Sequence, residues 1–315
     1  MDYGAILSNS FMNIADRKVL TYIAARILVG IISLILLIGA AFFFFADIMP
    51  QLAQIMALSQ NPSADPQAAT SIVMSVLSSV LKNIIPFLLI VIPLVIIEAL
   101  IQLYLNALML ARGLEIAGLK APPVTFIKAL KLILLEIWIA VAVMFSVYNT
   151  KFLIALLAII ALGIVAIILA FVSPILALLL GILVFFALLA YFVVMIYNAI
   201  RLSLTGAHYL ANEKGILESA KESWGLTGGK VAEVFMAFIL VFVVIFAIGF
   251  ALSLIVMVLQ VILRAAGVNP LIVQLLDMLI NILTSPVFAA IGTLATAQIY
   301  SQVSGSLTPK SKKSL

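Results

Sequence analysis

The chain contains a series of long apolar stretches, and these limit its possible folds more than any other feature. About 20 consecutive apolar residues form a helix that can cross the roughly 30 Å hydrocarbon core of a bilayer. Hydrophobic residues make up 66% and charged residues 9% of the 315 residues, whereas typical soluble domains contain about 25% charged residues. We therefore expect an all-α, polytopic membrane helical bundle that forms a single integral membrane domain over residues 1–315.

The lysines and arginines between the apolar stretches predict how this bundle is oriented. From the N-terminus onward, the segments hold 3, 1, 4, 1, 4, 1 and 3 of these residues. Cytoplasmic segments of membrane proteins are enriched in Lys and Arg, so the richer segments are expected in the cytoplasm. The alternation predicts a multi-pass protein of the cell membrane with six net crossings and with both termini cytoplasmic.

One region contains more apolar stretches than this alternation allows. Residues 132–148, 152–172 and 175–200 are all apolar, yet the charges permit two net crossings there. If 152–172 is the non-crossing segment, Lys151 lies outside. If 124–148 is the non-crossing segment, Lys128, Lys131 and Lys151 all lie inside. The sequence leaves both arrangements open.

The remaining segments are short. Residues 47–82 form the one sizeable outer loop, in which helical spacing of apolar residues predicts an interfacial helix over 68–80. Residues 112–131 and 201–230 form two basic cytoplasmic elbows, and 304–315 form a basic cytoplasmic tail. Pro86 and Pro93 predict a bend in the second span. Small residues permit close helix approach in the first and fifth spans; they are Gly30, Ser33, Gly39, Gly249 and Ser253.

Composition argues against several classes of function. The chain has no cysteine and one histidine, His208, so it offers few metal ligands and no thiol nucleophile. We interpret His208 as a capped interfacial residue, and we expect no cofactor, no metal and no catalytic site. The net charge of +5 lies on cytoplasmic segments, which favours anionic lipid headgroups over nucleic acid as partners.

Two stripes of polar residues interrupt the apolar spans. A carboxylate near the middle of a span is costly, by roughly 2.5–3.5 kcal/mol on insertion scales, and Glu98 is placed there. The stripes repeat every three or four residues and comprise Glu98, Gln102 and Asn106 in the second span, and Gln274, Asp277, Asn281 and Ser285 in the last. They predict either a hydrogen-bonded seam between spans with Glu98 protonated, or a polar cavity for a proton, a cation or a lipid headgroup. For Glu136 we expect an ion pair with a cytoplasmic lysine.

The second elbow carries the most distinctive pattern. Ile216, Leu217, Ala220 and Trp224 share one face of a short predicted helix, and the functional interpretation of this helix is a docking surface for a cytoplasmic partner. Its motif consists of an acidic residue and a glycine, then Ala-x-x-Ser and Leu-x-x-Gly before the fifth span. The residues that form it are Glu213, Gly215, Ala220, Ser223, Leu226 and Gly229, with Trp224 beside Ser223.

This motif resembles that of a six-span family of integral membrane proteins in bacteria and archaea. The family is mostly of unknown function and is related to the membrane domain found beside glycerophosphodiester phosphodiesterases. The resemblance implies a membrane role and a prokaryotic source, and it supplies no substrate.

Three functions are compatible with these patterns. The first is a non-enzymatic protein that docks an unidentified protein partner or organises lipid through its cytoplasmic elbows. The alternative is a transporter or lipid-handling protein with a polar cavity around Glu98. An intramembrane enzyme is the least favoured, because the sequence assembles no constellation of acid, base and nucleophile.

Overall fold

The described part of the protein, given by a computed structural model, consists of helices and short connections. The structure describes residues 1–48, 50, 66–212 and 214–305. It is 89% helical, and the described residues form no strand. The predicted all-α fold class is therefore confirmed. Glu213, residues 49 and 51–65 of the outer loop, and nearly all of the basic tail lie outside the described residues.

Ten α-helices follow one another along the described chain. In order, they are α1 (Tyr3–Met12), α2 (Arg17–Phe45), α3 (Pro66–Ile116), α4 (Phe126–Met144), α5 (Thr150–Leu169), α6 (Pro174–Leu202), α7 (Thr205–Asn212), α8 (Ile216–Thr227), α9 (Val231–Ala265) and α10 (Pro270–Gly305).

Local signals explain where several helices begin. The Asp16 carboxylate accepts hydrogen bonds from the backbone N–H groups of Lys18 and Val19 at 3.0 and 3.2 Å, which caps α2. Thr125 caps α4 in the same way, through the N–H of Lys128 at 3.2 Å. Pro174 occupies the first turn of α6, where its missing N–H has no partner to lose.

Six stretches of the described residues are long and apolar enough to cross a membrane. They are Arg17–Phe45, Thr70–Ile116, Thr150–Leu169, Pro174–Asn212, Val231–Ala265 and Pro270–Gly305. Helix α4 is not among them. The three charged residues Lys128, Lys131 and Glu136 fall within its 19 residues. The structure therefore favours the arrangement in which 124–148 is the non-crossing segment.

The packing of α4 supports the same arrangement. A 19-residue helix is about 28 Å long and would nearly cross the hydrocarbon core if it stood upright. Instead, the ring of Phe126 at its start contacts that of Tyr104, and Ser146 just after its end bonds to Tyr191 at 2.8 Å. Tyr104 and Tyr191 both lie in the C-terminal halves of their helices, α3 and α6. Both ends of α4 thus lie near one end of the bundle, which we call the inner end.

The N-terminus and the short helices also lie at the inner end. The backbone N–H of Asp2 donates to Gln302 Oε1 at 2.8 Å, and Ser301 Oγ donates to the carbonyl of Ala117 at 3.2 Å. These bonds join α1 and the end of α3 to the end of α10. The largest cluster of buried apolar side chains includes Leu114, Leu210 and Ile299, so the packed core lies at the inner end too.

Helix α3 is longer than its span. It runs for 51 residues, about 77 Å, and continues through both Pro86 and Pro93. The helix predicted for residues 68–80 is the N-terminal part of α3 and not a separate interfacial element. Helix α3 is thus more than twice as long as the hydrocarbon core is thick.

Candidate functional site

The polar stripe of α3 meets an arginine of α2. Arg26 donates from Nε to Gln102 Oε1 at 2.7 Å and from Nη1 to Asn106 Oδ1, while Gln102 Nε2 donates to the Arg26 carbonyl at 3.3 Å. Arg26 is half-buried. Sequence reasoning missed this role. The signal for it was a charge nine residues into an apolar helix, because a partner must offset the cost of such a charge.

Glu98 lies beside this arginine in a cavity of about 350 Å³, the Glu98 cavity. Its polar lining is Arg26, Glu98, Gln102, Asn281 and Ser285. Within the described part of the chain, no side chain bonds to the Glu98 carboxylate. The structure thus brings Glu98 and Gln102 of one predicted stripe together with Asn281 of the other, and Arg26 supplies a positive charge to the same space.

A groove of about 860 Å³ runs between α9 and α10, and we call it the α9–α10 groove. Its α10 wall carries the polar residues Asp277, Asn281, Thr284 and Ser285 together with Ile280, Phe288 and Ala289. On its α9 wall, the rings of Phe242, Phe246 and Phe250 stack at centroid distances of 6.1 and 6.2 Å. The α10 wall therefore offers most of the hydrogen-bonding groups, and the α9 wall, which also contributes Ser253 and Gln260, offers aromatic surface. Gln274 is exposed and does not line this groove.

A third cavity, of about 430 Å³, lies at the inner end between α3, α4, α6, α7 and α10, and we call it the Glu136 cavity. Its polar lining is Asn106, Glu136, Ser203, Thr293 and Thr296. Glu136 forms no ion pair among the described residues, so the prediction that it pairs with a cytoplasmic lysine is wrong. Its side chain is accessible from the cavity, but nearby apolar groups displace part of its water, and this desolvation raises the pKa of its carboxyl.

The predicted docking helix, α8, turns its motif residues toward the bundle. Ala220 and Ser223 are fully buried, and Ser223 Oγ donates to the Arg201 carbonyl at 3.2 Å. The Trp224 ring lies 4.1 Å from the Arg201 guanidinium carbon. A methyl group added to Gly228 would lie 3.1 Å from Arg201 Nη2. The C-terminal end of α8 therefore packs closely against the same arginine.

The other members of the predicted docking set are placed differently. Gly215 precedes α8 as its N-cap, and space is open around both Gly215 and Gly229. Glu213 lies outside the described residues. The exposed face of α8 carries Leu217, which is 59% exposed, together with the exposed residues Glu218 and Lys221.

A hydrogen-bond network around His208 joins α7, α8 and α10. His208 Nδ1 lies 2.9 Å from Tyr300 Oη and Nε2 lies 2.6 Å from Glu222 Oε2. Asn212 Nδ2 also donates to Tyr300 Oη, at 2.9 Å, and Lys214 pairs with Glu222. The hydrogen bond from Lys214, together with that from His208, lowers the pKa of the Glu222 carboxyl. His208 is 6% exposed and bonded through both nitrogens, so it is capped as expected, while its place at the membrane interface stays a prediction.

An ion pair closes the inner end between α2 and α3. Arg112 donates to Asp16 through Nε at 3.1 Å and through Nη2 at 2.7 Å, and Nη1 bonds to Glu115 at 2.8 Å. The bidentate contact lowers the pKa of Asp16 to about 2. Asp16 therefore both caps α2 and fixes its start against α3.

The three cavities are connected through shared lining residues or through hydrogen bonds to Arg26. Asn281 and Ser285 line both the α9–α10 groove and the Glu98 cavity. Gln102 of the Glu98 cavity and Asn106 of the Glu136 cavity both accept hydrogen bonds from Arg26. A succession of polar side chains thus leads from the groove through the bundle to its inner end.

Comparisons with known proteins found no matching family model, no matching curated protein and no matching solved structure. The resemblance of residues 201–230 to the six-span family stays a prediction. The apolar helices identify an integral membrane protein with several membrane-spanning helices.

Proposed function

We propose that this protein handles an amphipathic molecule, such as a lipid, by admitting it from the bilayer into the α9–α10 groove. The groove has a polar wall, represented by Asp277 and Asn281, and an aromatic wall, represented by Phe246. A molecule with a polar head and an apolar tail satisfies both walls at once. A purely polar solute would leave the aromatic wall unpartnered, and a purely apolar one would leave the polar wall unpartnered.

One observation carries this proposal: Asn281 and Ser285 line the groove and the Glu98 cavity together. A polar headgroup in the groove can therefore exchange hydrogen bonds step by step with residues deeper in the bundle. Beyond them lie the Glu98 carboxylate and the Arg26 guanidinium, which offer charges of both signs. This makes the zwitterionic headgroup of a phospholipid the best match in charge.

The test is the movement of a fluorescent phosphatidylethanolamine between leaflets of proteoliposomes, followed by quenching from outside. Wild-type protein is expected to make the inner-leaflet probe accessible. Asn281→Leu should slow this roughly tenfold, because losing one hydrogen bond of about 1.4 kcal/mol to the headgroup changes a rate by that factor. Gln274→Leu is the matched control, since it removes an amide from the same helix outside the groove. Equal rates in both variants, or no movement above that of protein-free vesicles, would exclude the proposal.

A second proposed function is the binding of anionic lipid headgroups through the first elbow and α4. One face of α4 exposes large apolar side chains, namely Phe126, Ile127, Leu130, Leu134 and Ile137. The exposed Lys131 lies on the same helix, and the exposed Lys120 precedes it. A helix of this kind lies in the interface, with its apolar face in the acyl region and its lysines at the headgroups. A cytoplasmic protein partner would instead find Leu217, Glu218 and Lys221 on α8.

The lipid function is tested by counting the phosphatidylglycerol molecules that copurify with the protein in native mass spectrometry. The double variant Lys120→Gln/Lys131→Gln should lose bound phosphatidylglycerol and keep its phosphatidylcholine. The control is Lys82→Gln, which alters an exposed lysine in the outer half of α3. Unchanged phosphatidylglycerol in the double variant would reject this role for the elbow.

These functions imply an orientation, which we also propose. Basic residues cluster at the inner end. Those located by their contacts include Arg112, Arg201 and Lys214. By the positive-inside rule, we expect that end and both termini to lie in the cytoplasm.

A further inference from the structure

The Glu136 cavity has a lining that is rich in hydrogen-bond acceptors. Ser203 Oγ donates its proton to the Ile200 carbonyl at 2.8 Å. In the same way, Thr293 Oγ1 donates to the Ala289 carbonyl at 2.8 Å and Thr296 Oγ1 to the Gly292 carbonyl at 2.9 Å. A hydroxyl that donates its one proton to a nearby backbone carbonyl can offer only lone pairs to the cavity. These three oxygens therefore act as acceptors.

The other two polar residues of the cavity complete this pattern. Glu136 adds a carboxylate that has no partner among the described residues. Asn106 has its carbonyl oxygen occupied by Arg26, which leaves the amide NH2 as a donor. A ligand of this cavity consequently meets many acceptors and one negative charge, and it needs several donors and a positive charge of its own.

The apolar part of the lining indicates how large the ligand is. The cavity measures about 430 Å³, whereas a water molecule occupies about 30 Å³ in the liquid. A bare metal ion would leave most of this space empty. Aliphatic side chains line the rest, namely Leu103, Leu110, Leu132, Ile139 and Leu202. These walls match the hydrocarbon part of an organic ion.

We propose that the Glu136 cavity binds a small organic ammonium ion, with its nitrogen at Glu136 and the three hydroxyl oxygens and its carbon chain against the aliphatic walls. The site is distinct from the α9–α10 groove and does not depend on the lipid-handling function. It shares with the Glu98 cavity only the link through Asn106 and Arg26. Glu136 is an exposed residue of the cavity lining.

The experiment measures the binding of butylammonium chloride to the purified full-length protein in detergent by isothermal titration calorimetry. Saturable binding is expected for wild type. Glu136→Gln should raise the Kd by about ten- to a hundredfold, because a hydrogen bond to a charged group contributes about 1.5–3 kcal/mol. Glu218→Gln, which removes an exposed carboxylate on α8, and Asn281→Leu, which alters the groove, should each leave the Kd within about twofold.

A second variant tests the acceptor lining without altering the charge. Thr296→Val keeps the shape of the side chain and removes its oxygen, so the Kd for butylammonium should rise several-fold while the helical content stays the same. Size-exclusion chromatography identifies any variant that fails to fold. Sodium chloride or n-butanol binding as tightly as butylammonium, or wild-type affinity in both Glu136→Gln and Thr296→Val, would overturn the proposal.

Discussion

At the scale of single residues, Arg201 connects the end of α6 to α8 in several ways. Its guanidinium lies 4.1 Å from the Trp224 ring and 5.6 Å from the Tyr197 ring. It also donates to the Trp224 carbonyl at 3.1 Å and to Tyr197 Oη at 2.7 Å. A planar cation with a fork of donors can make all these contacts together, whereas an ammonium group cannot.

Arg201→Lys is therefore expected to destabilise the protein although it keeps the charge. Losing the stacking and at least one buried hydrogen bond should lower the free energy of unfolding by about 2 kcal/mol. The measurement is the melting temperature in detergent, together with the fluorescence of Trp224 in a Trp138→Phe background. Arg17→Lys, at an exposed position, controls for the loss of a guanidinium. A melting temperature equal to that of the control would contradict the role given to Arg201.

The sequence could not predict such contacts because their partners are distant in the chain. Spacing along one helix predicted that Glu98, Gln102 and Asn106 share a face, which depends only on helical geometry. Arg26, the partner of Gln102 and Asn106, is 76 residues from Gln102. His208 likewise bonds to Tyr300 across 92 residues. Local periodicity contains no information on which helices become neighbours, so the composition of each cavity had to come from the structure.

At the scale of helices, glycines show where two backbones approach closely. A methyl group added to Gly30 would lie 3.1 Å from Ile282 Cγ2, so this predicted contact exists between α2 and α10. At Gly39 nothing lies within 4 Å, and the predicted close approach there is wrong. The tightest site, which the sequence prediction missed, is Gly113, where a methyl group would lie 2.9 Å from Ala297 Cβ.

Gly113→Val should separate α3 from α10 at the inner end. Apolar burial drives helix association weakly in lipid, so close packing supplies much of the stability, and it depends on small residues at contacts. We expect a loss of about 1–3 kcal/mol, as for other overpacked sites, measured as a lower melting temperature in detergent. Gly181→Ala in α6 is the matched control, because its surroundings are open and alanine favours helix. Similar melting temperatures for Gly113→Val and wild type would show that the contact is loose.

At the scale of the whole molecule, charge and packing together select the topology. Charge counting left two arrangements open, because it considers only the order of Lys128, Lys131 and Lys151 in the sequence. The structure adds that α4 touches the C-terminal halves of α3 and α6 at its two ends. A helix that begins and ends at the inner end predicts that α5 and α6 are the crossing pair and that Lys151, at the start of α5, lies on the inner side.

Single cysteines can test this topology directly, because the chain contains no cysteine of its own. Lys120→Cys and Lys151→Cys place thiols at exposed positions before α4 and at the start of α5, and Val172→Cys places one at the turn between α5 and α6. A membrane-impermeant maleimide added to intact cells should label Val172→Cys and spare the other two. After permeabilisation, all three should be labelled. Labelling of Lys151→Cys in intact cells would mean that α4 crosses the membrane, because that helix would then have to carry the chain from Lys120 on the inner side to Lys151 on the outer side.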